Sequence, residues 1–169
     1  MKTVPRNLVS LSVSTPDGIF TAHYSERGLA GINFPSKQNP AATREPENVP
    51  TKIQAWHRLT SAALKRVVAG EAPGKFPPFD LSAGTEFQCA VWQAMLQIQS
   101  GQAKSYGEIA QAIGKPKAVR AVGGACGANP IPVLVPCHRV IAAGGKIGGF
   151  SSDMNWKRTL LKREGVIVS

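Results

Sequence analysis

The chain is short of acid. Ten Asp and Glu stand against twenty Lys and Arg, giving a net charge of +10. Such an excess favours polyanionic partners, because each neutralised phosphate releases condensed counterions. Cysteine is scarce too: three residues, Cys89, Cys126 and Cys137, an odd number without CxxC spacing. That excludes a disulfide framework and argues against a cysteine zinc site, and it fits a reducing, cytoplasmic compartment. No apolar run approaches the roughly 20 residues of a membrane-spanning helix. Residues 1–6 lack the apolar stretch of an export signal, so no membrane partner is expected.

At 169 residues the chain can bury a real core as one domain or two small ones. Val9, Leu11 and Val13 alternate with Ser10, Ser12 and Ser14, the period of a half-buried strand. Thr15-Pro16-Asp17-Gly18 signals a turn into a second strand over Ile19–Tyr24, and Glu26-Arg27-Gly28 turns again into a third over Leu29–Phe34. Pro35 to Pro50 has almost no apolar residues and reads as a loop. Ile53, Trp56, Leu59, Ala63, Leu64, Val67 and Val68 then mark one face of a helix over 51–69. Phe76, Phe79 and Leu81 suggest one more extended piece before Ser82-Ala83-Gly84 separates two subdomains, 1–83 and 84–169.

The second part is mostly helical. Thr85 with Gln88, and Ser105 with Glu108, have the spacing of capping boxes opening two helices. Gly114-Lys115-Pro116 stops the second of these and starts another, from Lys117 to about Ala128, a helix-turn-helix pattern. The fold class expected is therefore α+β: a small antiparallel sheet with one helix, then a helical subdomain containing a helix-turn-helix. The helix from Lys117 is nearly bare, with Ala118, Ala121, Gly123, Gly124, Ala125, Gly127 and Ala128. Each glycine costs a helix roughly 1 kcal/mol relative to Ala, so a close approach should compensate. Either another protein element packs there or the helix enters a narrow space, such as a minor groove about 6 Å wide. Without long base-reading side chains, docking on DNA would carry little sequence specificity.

Cys137 stands in Pro136-Cys137-His138-Arg139-Val140, after the run 131–136, which reads as extended and buried. A lone cysteine at the edge of a core is usually inert filler. Here His138 and Arg139 adjoin it, and basic neighbours enrich the thiolate. His138 would reach the sulfur directly or through a water, and a base needs an orienting acceptor. Beyond residue 84 the acids are Glu86, Glu108, Asp153 and Glu164; Glu164, closing a last helix from Asp153 to about Arg163, suits best. Cys89 and Cys126 fall within helices and read as structural, although Cys126 lies in the bare helix and could be exposed. His23 and His57 show no metal-ligand spacing.

Residues 85–165 resemble the O6-alkylguanine-DNA alkyltransferases. The strings that carry the resemblance are Thr85-Glu86-Phe87-Gln88 with Val91-Trp92, Ser105 to Ala110, Arg120 to Pro130, Pro136 to Ile141, Gly148-Gly149-Phe150-Ser151 and Lys157 to Gly165. Residues 1–83 match only in layout. The resemblance implies direct-reversal repair: an alkylated guanine is flipped out of the duplex and its alkyl group passes irreversibly to Cys137, once per molecule, with no cofactor or metal. It implies that His138 takes the thiol proton through a water, that Glu164 holds His138, and that Tyr106 donates to the departing guanine. It implies that Asn129 braces the turn before the active-site loop, and that Arg120 fills the vacated stack. Lys117, Ala118, Ala121 and Gly123 would lie on DNA with Arg120, and Tyr106, Val140 and Ser151 about the flipped base. The partner implied is double-stranded DNA met through its minor groove by a monomer, with room for cooperative binding. Gln99-Ser100 and Gly127 depart from the common pattern, the first in a way expected to loosen the loop before Lys104. Competing readings are a non-catalytic helix-turn-helix DNA-binding protein, a lesion binder without a nucleophile, and a Cys/His acyl hydrolase.

Overall fold

The computed structural model describes residues 7–36 and 45–169. Residues 1–6, and 37–44 within the loop expected over Pro35–Pro50, lie outside that description. Three strands, β1 (Val9–Thr15), β2 (Gly18–Tyr24) and β3 (Leu29–Asn33), form an antiparallel sheet in the order β1-β2-β3. The first hairpin runs in register from Val9 opposite Tyr24 to Thr15 opposite Gly18. Its turn is closed by the Thr15 hydroxyl, which donates to Gly18 O and accepts from Asp17 N. Leu11, Val13, Phe20, Ala22, Tyr24, Leu29 and Ile32 are buried. Helix α1 (Thr51–Val68) packs on the sheet, burying Ile53, Ala63, Leu64, Val67 and Val68. The extended piece expected around Phe79 contributes a single parallel bridge to Leu29, with Leu29 N donating to Pro78 O and Asp80 N to Leu29 O.

Both capping boxes form. Helix α2 (Glu86–Leu96) opens with Gln88 N on Thr85 Oγ1 and Thr85 N on Gln88 Oε1. The short strand β4 (Lys104–Ser105) leads into α3 (Tyr106–Ala112), opened by Ser105 and Glu108 in the same reciprocal way. Gly114, at φ 74°, ends α3: its N–H bonds Gln111 O and that of Lys115 bonds Ala110 O. This paired closure needs a left-handed residue, for which glycine carries no Cβ penalty. The bare helix α4 (Val119–Gly127) begins two residues later than the expected Lys117, because Lys115 to Ala118 close a turn through Ala118 N on Lys115 O. Trp92 Nε1 donates to Ala125 O at 2.9 Å and fixes α4 against α2.

The run 131–136 is buried but not extended. Val133 has φ 75° and Val135 N donates back to Ile131 O, so the chain coils into a compact turn. Asn129 imposes this, accepting from Ile131 N and donating to Val135 O. Pro132 and Pro136 lack the N–H groups that a sheet ladder needs. A one-turn 3-10 segment (Cys137–Arg139) follows, then β5 (Val140–Ile141), which pairs with β4 in parallel, and finally α5 (Met154–Arg163). The sheet also holds this region directly, through Ile32 N on Pro130 O at 2.9 Å. Among the described residues, no helix is long and apolar enough to cross a membrane.

Candidate active site

Three elements converge on Cys137: the turn that carries it, the inner face of α4, and α5. Along α5, Lys157, Leu160, Leu161 and Glu164 follow the i, i+3, i+4, i+7 pattern of one helical face, and all four are buried. The apolar pair anchors the helix. The two charged residues at either end are thereby carried into the protein interior beside the cysteine turn.

His138 is fully buried, and its Nε2 lies 3.0 Å from Glu164 Oε1. An ionised carboxylate only accepts, so Nε2 carries the proton and Nδ1 presents its lone pair. Nδ1 is buried and makes no hydrogen bond among the described residues, so it does not bond Cys137 directly. Burial pushes the imidazole below its ordinary pKa, opposed by the hydrogen bond and charge of Glu164. Arg139, assigned by the sequence to the thiol, turns away from it. Its Nε and Nη2 grip Glu164 and its Nη1 donates to Ile98 O. Burial alone would raise the Glu164 carboxyl, but the bonds from His138 and Arg139 outweigh it and hold the group at about 2.

Cys137 is 6% exposed. The expectation of a resting thiolate needs correction: burial pushes the thiol up, and the hydrogen bond of Asn129 and the charge of Lys157 only moderate this. The cation whose charge acts on the sulfur is Lys157, a residue with no expected role. Its Nζ donates to Val140 O at 2.7 Å and Gly149 O at 2.8 Å, and lies 6.0 Å from the Tyr106 ring centre. Burial lowers its pKa to about 8, against the raising influence of Cys137 and Cys126. The signal was available, since Lys157 falls on the apolar face of the last helix.

A cavity of about 310 Å³ opens beside the sulfur, lined by Tyr106, Gly123, Cys126, Gly127, Cys137 and the 149–151 segment. Tyr106 OH reaches Gly149 O at 3.5 Å, and burial raises its pKa, so the phenol remains a donor. Ser151 is exposed at the rim. Val140 is buried and does not line the cavity; its carbonyl is taken by Lys157. Cys126 is buried rather than exposed, bonded to Met95 Sδ, and faces the cavity with a pKa raised by burial to about 12. Cys89 is half-buried and donates to Leu81 O.

On the outer side of α4, Arg120 and Ala121 are exposed, as is Lys117 just before it, while Ala118 and Gly123 are half-buried. A Cβ added at Gly123 or Gly124 would meet nothing within 4 Å, so internal packing does not explain these glycines. Gln99 and Ser100 sit in a turn closed by Gln102 N on Gln99 O, away from the cavity. His23 bonds Ser10, and His57 bonds Tyr24 and Ser12 O, both as packing partners.

Residues 86–166 match the family model described as 6-O-methylguanine DNA methyltransferase, DNA binding domain. A methylated-DNA–protein-cysteine methyltransferase of Methanosarcina acetivorans is 40% identical over 154 residues, covering 89% of this chain and 94% of that protein. The chain belongs to the 6-O-methylguanine DNA methyltransferase family. A second methyltransferase of that name, from Mycolicibacterium paratuberculosis, is 50% identical over 157 residues, 90% of each chain. The crystal structure of the Mycobacterium tuberculosis OGT in complex with DNA superposes with a TM-score of 0.73 at 37% identity, covering 90% of both chains. Matches over 154 and 157 residues carry the sequence likeness into the N-terminal subdomain, which corrects the expectation that residues 1–83 match only in layout.

Proposed function

We propose that this chain repairs DNA by direct reversal, moving the alkyl group from O6 of a guanine in duplex DNA onto Cys137. The observation that carries this reading is a cysteine at the wall of a cavity that opens along the glycine-rich helix, backed by a buried His–Glu pair. Family membership supports the same reaction.

The sulfur attacks the alkyl carbon; a C–S bond forms, the C–O6 bond breaks, and its electron pair stays with guanine. The thiol proton leaves through a water to His138 Nδ1. Glu164 stabilises the imidazolium that results, and Arg139 keeps Glu164 ionised while it does so. Because burial disfavours a standing thiolate, deprotonation and attack are coupled, and Lys157 offsets the charge that builds on sulfur. Tyr106 donates to the base as negative charge develops there. The thioether is not hydrolysed, so each molecule reacts once. Asn129 is a positioning residue, shaping the turn that delivers Cys137.

In this reading residues 84–169 bind DNA and accept the alkyl group, and residues 1–83 support them. Helix α4 enters the minor groove as a monomer, with Ala118, Ala121, Gly123 and Lys117 against the backbone and Arg120 in the stack. Flipping costs a few kcal/mol and least for a badly paired base, so the lesion itself aids selection. The test is the intact mass of the protein after mixing with duplex carrying O6-methylguanine. A single gain of one CH2 on the peptide holding Cys137, absent in Cys137→Ser, is expected. Absence of that gain, or repeated turnover, overturns the proposal.

A further inference from the structure

The wall of the cavity formed by residues 148–151 has little support of its own. No backbone hydrogen bond among the described residues involves residues 148 to 152, apart from side-chain bonds to Gly149 O from Lys157 and Tyr106. Gly148, at φ 72°, lets the chain pass beside the Tyr106 ring, where a Cβ would meet the phenol oxygen at 3.0 Å. At the next lining position, Phe150, the wall is held by an aromatic contact from the other end of the sequence. Phe34, directly after β3, meets the Phe150 ring edge-on with centroids 5.9 Å apart. Phe34 also packs on Trp156 at 5.2 Å, and Phe20 completes the group at 5.5 Å from Phe34 and 5.3 Å from Trp156. Trp156 adjoins Lys157, which bonds Gly149 O, so both fastenings of the wall reach the same cluster.

We infer that Phe34 is a positioning residue for alkyl-group selectivity: the N-terminal sheet, through Phe34, sets where Phe150 stands and so how large an alkyl group the cavity beside Cys137 admits. This rests on the alkyl-transfer reading above and names a determinant within it. The contact is geometric and apolar, so it acts on the fit of the substituent and leaves the proton path through His138 and Glu164 untouched. Tilted and edge-on ring pairs hold a preferred angle as well as a distance, which an aliphatic side chain of similar bulk does not.

The experiment compares single-turnover rates on duplexes carrying O6-methylguanine and O6-benzylguanine, for the wild type, Phe34→Leu, Phe34→Ala and Phe34→Tyr. Methyl transfer to Cys137 by the wild type is established first; its absence would sink the repair reading and this inference with it, whereas the variants below can overturn this inference alone. With that in hand, Phe34→Leu and Phe34→Ala should change the benzyl-to-methyl rate ratio by about two- to tenfold, the size one ring–ring contact supports. Phe34→Tyr, which keeps the ring, should preserve the wild-type ratio, and DNA affinity should not change in any of them. Equal slowing on both lesions, or an unchanged ratio in Phe34→Leu, overturns the inference and leaves Phe34 a purely structural residue. If Phe34→Ala does not fold, Phe34→Leu against Phe34→Tyr still decides.

Discussion

Arg139 holds both carboxylate oxygens of Glu164, Nη2 on Oε1 at 2.7 Å and Nε on Oε2 at 2.9 Å, while His138 shares Oε1. One buried anion thus serves two neighbours that are adjacent in sequence but differ in duty. Arg139 fixes the charge, and His138 uses it.

Replacing Glu164 tests this division. Glu164→Gln leaves a buried guanidinium without its counter-charge, a loss of about 3–5 kcal/mol for breaking such a pair from one side. The pH dependence is more diagnostic. Held at about 2 against an ordinary 4.5, the carboxyl binds fewer protons folded than unfolded, so it stabilises above pH 4.5. That stabilisation is lost as pH falls from 4.5 through about 2. Acid titration of unfolding should therefore be less steep over this window in Glu164→Gln than in the wild type; equal slopes would remove the buried pair from the account.

Lys157 gives a dependence of the same sign in an alkaline window. Its pKa is lowered to about 8 from 10.5, so the folded protein holds fewer protons between those values and gains stability as pH rises through them. Lys157→Met should abolish this rise, measured by denaturant unfolding at a series of pH values. The same variant should transfer methyl groups at least tenfold more slowly with unchanged DNA affinity, a loss equivalent to about 1.4 kcal/mol of barrier.

Gly124→Ala separates binding from folding. With nothing within 4 Å of the new Cβ, the substitution should stabilise the free protein by up to about 1 kcal/mol through helix propensity. Affinity for duplex should fall, and fall further in Gly124→Leu. A rise in melting temperature with unaltered affinity would place the DNA on another surface.

Arg120→Ala should slow repair in duplex far more than reaction with a free alkylated guanine base. Arg120 is exposed and stands outside the cavity lining, so its expected work is on base extrusion. Equal losses on the two substrates would contradict that role.

Much of this architecture is legible in the residues because local signals and tertiary structure agree. Serines alternating with Val9, Leu11 and Val13 give β1, and Thr85-Gln88 and Ser105-Glu108 form the reciprocal caps that their spacing promises. The run 131–136 misled because continuous apolar sequence specifies burial and not backbone shape. Its shape comes from the Asn129 side chain, whose two bonds cannot be read from periodicity. Helix α4 starts later than its sequence suggests because Pro116 suits a first helical turn and an ordinary turn equally well. Arg139 lies two residues from Cys137 in sequence yet points to Glu164, since each step on a 3-10 turn rotates the side chain by about a third of a revolution. Lys157 is hard to single out because lysine is rarely buried, although its spacing to Leu160 and Leu161 marks the inner face.

Helix α4 forms one wall of the cavity that holds the sulfur, and at Gly123 and Gly127 that wall carries no side chain. Its thickness there is that of bare backbone, with Cα atoms only about 2.3 Å from the axis. A nucleobase leaving the double helix would have nearly the shortest journey to a protein interior that a helical wall permits. Any residue that thickens the wall lengthens that journey, however well the folded protein tolerates it.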